Sequence, residues 1–212
     1  MDWLSVFRRG IPWNELASLE RSAVAAAVGG ERSLLAAEPG PTLTCGRSGG
    51  SGEILAPETE LARRGVAIAS VARGGRWTYH GPGQIVLFPV VRLRDLGLGR
   101  HAISPFLEAF RRGVRAFLGE RGIETSSAGG PFGLYVGRAK IASFGISVRQ
   151  GIVSHGVAVY LTPQNEGFRW IHPCGVPDQA LTSIAELGGR TDWPEAAQTL
   201  VNRVAESLVF RG

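Results

Sequence analysis

Apolar positions along this chain recur with two periods, and the two periods divide it into helices and strands. Residues 12–28 carry Trp13, Leu16, Leu19, Ala23 and Ala27 on one helical face and run into Gly29-Gly30, a helix with its stop. A second helix opens with Ser104 as its cap and Pro105 as its first residue. Phe106, Leu107, Phe110, Val114, Phe117 and Leu118 form its inner face, and Gly122 ends it. A third covers residues 194–209 with Ala197, Leu200, Val201, Val204 and Leu208 inward, and a short helix over residues 57–64 stops at Gly65.

Between these helices the pattern is that of strands. Residues 3–7, 33–37, 42–45, 77–80 and 84–91 read as strands, residues 66–71 as a buried one, and residues 48–52 as a glycine-rich loop. Pro39-Gly40-Pro41 and Gly81-Pro82-Gly83 mark turns. Three further strands follow at 132–136, 140–148 and 152–161, with connections short enough for antiparallel hairpins. The order is strands, helix, strands, helix, without βαβ alternation or an internal repeat. It predicts an α+β fold, a mainly antiparallel or mixed β-sheet with flanking helices, in a single domain over residues 1–212.

Composition removes several classes. Of 212 residues, 44% are hydrophobic and 19% charged, enough apolar material for a core and unlike a disordered or fibrous chain. The longest apolar runs, 85–89 and 157–161, are too short to span a bilayer, and the first ten residues lack a secretory h-region. Two cysteines, Cys45 and Cys174, build no disulfide framework. The expectation is a cytoplasmic protein without a membrane partner. A net charge of +5 invites nucleic acid, but the arginines are scattered and no helix-turn-helix or RNA-binding signature is present. No nucleic-acid partner is predicted; such a surface steers any acidic protein or anionic substrate equally well.

One count changes the picture more than the net charge. Of 23 basic residues, 22 are Arg and one is Lys, at position 140. Arg stays charged under essentially all conditions, whereas a Lys amine can exchange a proton when its surroundings allow, so Lys140 is either chance or chemistry. A P-loop is excluded because Ala139 precedes that lysine, and Gly74-Gly75 with Gly81-Pro82-Gly83 make no dinucleotide fingerprint. His172, Cys174, His80 and His155 have no paired ligand spacing, so no metal is predicted.

Cys45, in Thr42-Leu43-Thr44-Cys45, reads as a small buried apolar side chain. Cys174, in Ile171-His172-Pro173-Cys174-Gly175, sits in a Pro/Gly loop away from any apolar periodicity. It reads equally as a buried thiol or as a covalent nucleophile with backbone donors close by. Residues 73–84 are the densest polar and glycine-rich stretch, either a ligand-wrapping segment or a β-hairpin with a satisfied His80; His155-Gly156 carries the same two readings.

Four ordered motifs then coincide. Arg73-Gly74-Gly75-Arg76-Trp77-Thr78-Tyr79-His80-Gly81-Pro82-Gly83-Gln84 resembles the R-G-G-x-x-T-Y-H-G-P-G-Q signature of the lipoyl(octanoyl) transferases, within the biotin/lipoate protein ligase superfamily. Lys140-Ile141-Ala142-Ser143-Phe144-Gly145-Ile146 is similar to their K-I-A-x-x-G-I strand, and His155-Gly156-Val157-Ala158 to their H-G-x-A. Phe168 through Gly175 matches F-x-x-I-x-P-C-G, Thr182-Ser183 follows, and Thr44-x-Gly46-Arg47 fits an earlier element. The chain departs from the pattern at Pro39-Gly40, where His-Pro is often found. It departs again at Tyr160, where many members have Asn, and at His172.

The resemblance implies the catalytic-domain fold of the biotin/lipoate ligases and a ping-pong acyl transfer without a cofactor. Octanoyl would pass from acyl carrier protein to Cys174 as a thioester. It would go on to a lysine ε-amine on lipoyl domains of the 2-oxoacid dehydrogenases and the glycine cleavage H protein. Lys140 would pair with Cys174. Arg73, Gly74, Gly75, Arg76, Trp77, Thr78, Tyr79, His80, Ser143, Phe144, Gly145, Gly156, Val157 and Ala158 would bind the substrate. An ATP-dependent lipoate or octanoate ligase of the same fold, needing no catalytic cysteine, is the rival reading; a non-catalytic acyl- or nucleic-acid-binding module is a second.

Overall fold

The structure is a computed structural model; it describes residues 2–127, 130, 132–172 and 179–210. Among the described residues nine strands form two sheets. Strands β1 (Leu4–Ile11), β2 (Ser33–Pro39), β6 (Gln84–Arg92), β9 (Ile152–Tyr160), β8 (Ala139–Arg149) and β7 (Gly133–Val136) make a six-stranded sheet in that order. Strands β4 (Ala67–Ser70), β3 (Thr42–Cys45) and β5 (Trp77–His80) make a smaller one. Only β1·β2 and β3·β4 are parallel; every other pair is antiparallel, so the sheets are mixed, as the pattern predicts.

Helix α3 (Ile103–Gly119) and helix α5 (Trp193–Ser207) pack on each other and on one face of the large sheet. Their inner stripes, Phe106, Phe110, Val114 and Phe117 with Leu200, Val201 and Val204, meet Leu34, Ile85, Leu87, Val153 and Val159 in a continuous apolar core. Asp192 caps α5 by accepting from Glu195 N at 3.0 Å, and the Trp193 indole donates to Gln84 O at 3.0 Å, fixing the helix on β6. Helix α1 (Trp13–Val28) crosses the opposite face between parallel β1 and β2, a βαβ unit that the overall element order conceals. The short helices α2 (Glu58–Arg63) and α4 (Asn165–Phe168) complete the fold.

The chain changes sheets at two corners. β2 and β3 flank Gly40 yet belong to different sheets, and so do β5 and β6 around residues 81–83. The hairpin reading of residues 73–84 is therefore corrected: the turn is a corner between sheets. Glu38 Oε1 accepts from Gly83 N at 2.9 Å, tying one corner to the other.

Two local expectations also change. α3 begins at Ile103, and Ala102 caps it without a side-chain hydrogen bond, so Ser104 lies inside the first turn. Proline is tolerated throughout that turn, whose N–H groups have no intrahelical acceptors, and so marks the turn rather than its first residue. β4 is an edge strand with Ala67, Ile68 and Ser70 exposed, not a buried one. The two hairpin connections in β7–β8–β9 are antiparallel as expected. In the second, Gln150 and Gly151 both take positive φ, matching the right-handed twist of the strands. No helix among the described residues is long and apolar enough to cross a membrane.

Candidate active site

A cavity of about 260 Å³ lies between β6, β9 and β8 of the large sheet and the 73–80 segment of the small one, with Trp13 of α1 at its side. The segment is pinned where it crosses. Gly74 N donates to Ile146 O on β8 at 3.0 Å, and the Arg73 guanidinium reaches Thr44 O and Oγ1 at 2.8 and 2.9 Å. Arg47 N and Ser48 N donate back to Arg73 O and Gly75 O, so two loops brace one another over the opening. On the floor, a Cβ at Gly156 would stand 1.9 Å from Leu87 O; β9 and β6 approach there only because the residue is glycine.

Lys140 reaches this face through a defect in the sheet. β7 pairs with β8 as Gly133↔Ser143 and Leu134↔Ala142, then jumps to Tyr135↔Lys140, leaving Ile141 as an extra residue. Strand alternation alone would put residues 140 and 143 on opposite faces; the bulge restores Lys140 to the side of Ser143. A Cβ on Gly133 would lie 3.0 Å from Lys140 Cε, which places the aliphatic stem against that residue. The amine is 5.6 Å from the Tyr135 ring centroid, and the residue is 3% exposed.

The backbone around Lys140 also receives the chain that follows Cys174. Lys140 N donates to Ala180 O at 2.8 Å, and Thr182 N donates to Lys140 O at 2.9 Å. On the other flank, His172 N donates to Glu53 O at 2.9 Å, and Glu53 takes a bidentate pair from Arg76 at 2.6 and 3.0 Å. Arg76 holds the Glu53 carboxyl below the ordinary carboxylate range. Cys174 itself, with Pro173 and Gly175, lies outside the described residues.

Residues 15–205 match the family model of the lipoyl protein ligase A/B catalytic domain. The chain belongs to that family. A "Probable octanoyltransferase" of Pyrobaculum arsenaticum is 40% identical over 162 residues, 76% of this chain and 70% of the relative. The "Octanoyltransferase" of Citrifermentans bemidjiense is 39% identical over 161 residues, 76% and 74% of the two chains. Solved structures agree on the fold. A T. acidophilum protein with bound lipoic acid superimposes with a TM-score of 0.78 at 14% identity, covering 100% of this chain and 88% of that one. Lipoate-protein ligase A bound with ATP gives 0.77 at 16% identity with the same coverage. Biotin protein ligase from Aquifex aeolicus gives 0.55 at 12% identity, covering 98% of this chain and 70% of that one.

Within this lipoyl protein ligase A/B fold, Arg73 to Thr78, His80, Ser143 to Gly145 and Gly156 to Ala158 all line the cavity. Tyr79 does not. Its ring packs edge-on against Phe168 at 5.9 Å, turned away from the cavity that Thr78 and His80 face. Trp13, Ser48, Val86, Phe88, Phe132 and His155 also line it and were not among the expected binding residues. Trp13 read as a helix core position and Val86 and Phe88 as ordinary strand residues; only the pairing of non-adjacent strands gathers them.

Two buried histidines in the wall are held differently. His80 stacks on Trp13 at 4.8 Å and 15°, and burial, then the positive charge of Arg73, push its pKa down to about 3. It is therefore neutral at physiological pH. His155 has φ +55, a left-handed backbone in mid-strand, and Glu20 on α1 holds it there. One carboxylate oxygen accepts from His155 N at 2.5 Å and lies 3.1 Å from the ring Nδ1. Such a conformation persists where several contacts over-determine it. Cys45 is partly buried at the end of β3, and burial raises its thiol pKa, in keeping with an unreactive side chain.

Proposed function

We propose that this chain is an octanoyltransferase of protein lipoylation. It takes an octanoyl group from acyl carrier protein onto Cys174 as a thioester and passes it to the lysine ε-amine of a lipoyl domain. The observation that carries this reading is the placement of Lys140, the chain's one lysine, buried on the cavity face by a bulge and bonded through its backbone to the chain on the far side of Cys174. The names of the relatives at 39–40% identity point to the same activity.

In this reading the division of labour follows from ordinary chemistry. A free thiol of pKa about 8.5 is only ~3% thiolate at pH 7, so complete ionisation raises the reactive fraction ~30-fold at most. Lys140 favours the thiolate or takes its proton; the new carbon–sulfur bond forms as that to the carrier breaks, and the proton ends on the departing thiol. Exchange between thioesters is nearly isoenergetic and needs no ATP, and amide formation in the second step draws the transfer forward. The wall contributed by Val86, Phe88, Val157 and Ala158 receives the acyl chain, whose seven apolar carbons at ~0.8 kcal/mol each supply about 5–6 kcal/mol of binding. A cavity of ~150 Å³ already admits benzene, so about 260 Å³ suits a medium chain.

The test is intact-protein mass after mixing with octanoyl-acyl carrier protein, without ATP, for the wild type, Cys174→Ala and Lys140→Arg. One hydroxylamine-labile octanoyl adduct on the wild type and none on Cys174→Ala is the expected result. Lys140→Arg keeps the charge but accepts no proton, and is expected to acylate at least ~10²-fold more slowly if Lys140 is the base. No adduct on the wild type, together with activity from free octanoate plus ATP, would replace this reading by that of an ATP-dependent ligase.

A further inference from the structure

We infer that the Ser143 hydroxyl donates to the carbonyl oxygen of the bound acyl group, and that Tyr160 is the positioning residue that aims it. This rests on the acyl-transfer reading above. Ser143 lines the cavity on β8, and its Oγ lies 2.6 Å from the Tyr160 hydroxyl on neighbouring β9. Tyr160 is fully buried, its ring set edge-on to Phe168 at 5.7 Å and 63°. A serine hydroxyl turns freely about one bond, whereas a phenol packed in this way keeps its oxygen in place. The shared hydrogen bond thus gives a rotor in an apolar wall a fixed direction. When Tyr160 donates to Ser143 Oγ, the serine's own proton is left to point elsewhere.

The register says where. Ser143 stands directly opposite Gly133, and a Cβ on Gly133 would lie 3.0 Å from Lys140 Cε. Cβ positions directly across an antiparallel pair are ~4.5–5.5 Å apart, so the lysine side chain lies beside Ser143, on the sheet face where Ser143 lines the cavity. An acyl chain that fills the apolar part of the cavity and reacts at the Lys140 end presents its carbonyl between them. That oxygen gains negative charge in the tetrahedral intermediate, and a donor aimed there in advance stabilises the intermediate more than the ground state. No proton changes owner; the hydroxyl pair only donates.

Ser143→Ala and Tyr160→Phe each remove one oxygen and leave the rest of the side chain, and Ser143→Thr restores a hydroxyl. Two quantities are read: the kinetics of acylation by octanoyl-acyl carrier protein, and the infrared carbonyl stretch of the acyl-enzyme carrying a [1-¹³C]octanoyl group. Ser143→Ala is expected to lower kcat about 10²-fold with KM nearly unchanged and to move the stretch to higher wavenumber. Tyr160→Phe is expected to shift both in the same direction by less, and Ser143→Thr to recover most of the loss. An unchanged stretch in Ser143→Ala, or a change confined to KM, overturns the inference while leaving the acyl-enzyme in place. Failure of the wild type to form any adduct removes the acyl-transfer reading and this inference with it.

Discussion

The two faces of the six-stranded sheet are made by the same strands and are filled in different ways. Toward α3 and α5 the side chains are Leu, Ile, Val and Phe with almost no exposed area, packed as a continuous core. Toward α1 and the small sheet, two buried histidines, a run of glycines and a left-handed His155 surround an open cavity. The first face carries stability that tolerates no ligand. The second gives up packing for a space of defined shape, and compensates with directed bonds such as Glu20 to His155 and Arg73 to Thr44.

The contrast can be tested by substitutions matched across the sheet. The largest effect is expected from Phe117→Ala on the filled face, where a fully buried ring leaves a void, at about 3–5 kcal/mol by denaturant unfolding. Octanoyl transfer per folded molecule should remain within about twofold, because Phe117 does not line the cavity. A finer comparison uses two alanines on adjacent strands. Ala142→Leu overfills the core and should cost about 1–3 kcal/mol of stability. Ala158→Leu grows into the cavity and should cost less than about 1 kcal/mol. It should nonetheless weaken octanoyl acceptance about tenfold, by displacing roughly two methylenes. Equal stability costs for the two would contradict the division between faces.

A separate effect concerns acid. His80 binds its proton only near pH 3 in the folded chain, against about 6.5 when unfolded, so between those values the unfolded state carries the extra proton. Stability from this group is complete above pH 6.5 and falls as the pH drops, by at most ~1.4 kcal/mol per pH unit. Unfolding curves of His80→Phe should show a shallower acid dependence than the wild type over that range.

The filled face was readable in one dimension, because helix periodicity alone names Phe106, Phe110, Val114, Phe117, Leu200 and Val204 as inward. The hollow face was readable only through motifs, and then incompletely. Strand order β1-β2-β6-β9-β8-β7 brings Trp13, Phe88 and His155 together from distant parts of the chain, and nothing local signals it. Tyr79 shows the opposite limit: it stands inside the R-G-G-x-x-T-Y-H motif, yet strand alternation turns it toward Phe168. The bulge at Ile141 was hidden too, since an added residue leaves no mark on an apolar pattern already continuous from Ile141 to Ala142.

That bulge bears on how such a catalyst avoids acting on itself. In the proposed transfer to a lysine amine, the enzyme is exposed to its own product-forming chemistry wherever a lysine stands on its surface. Here the surface charge is carried by arginine, which takes no acyl group under these conditions, and the one lysine is 3% exposed with its amine turned inward over Tyr135. On the reading proposed above, no side-chain amine stands on the surface of the molecule, and its one amine is kept where the acyl group is handled.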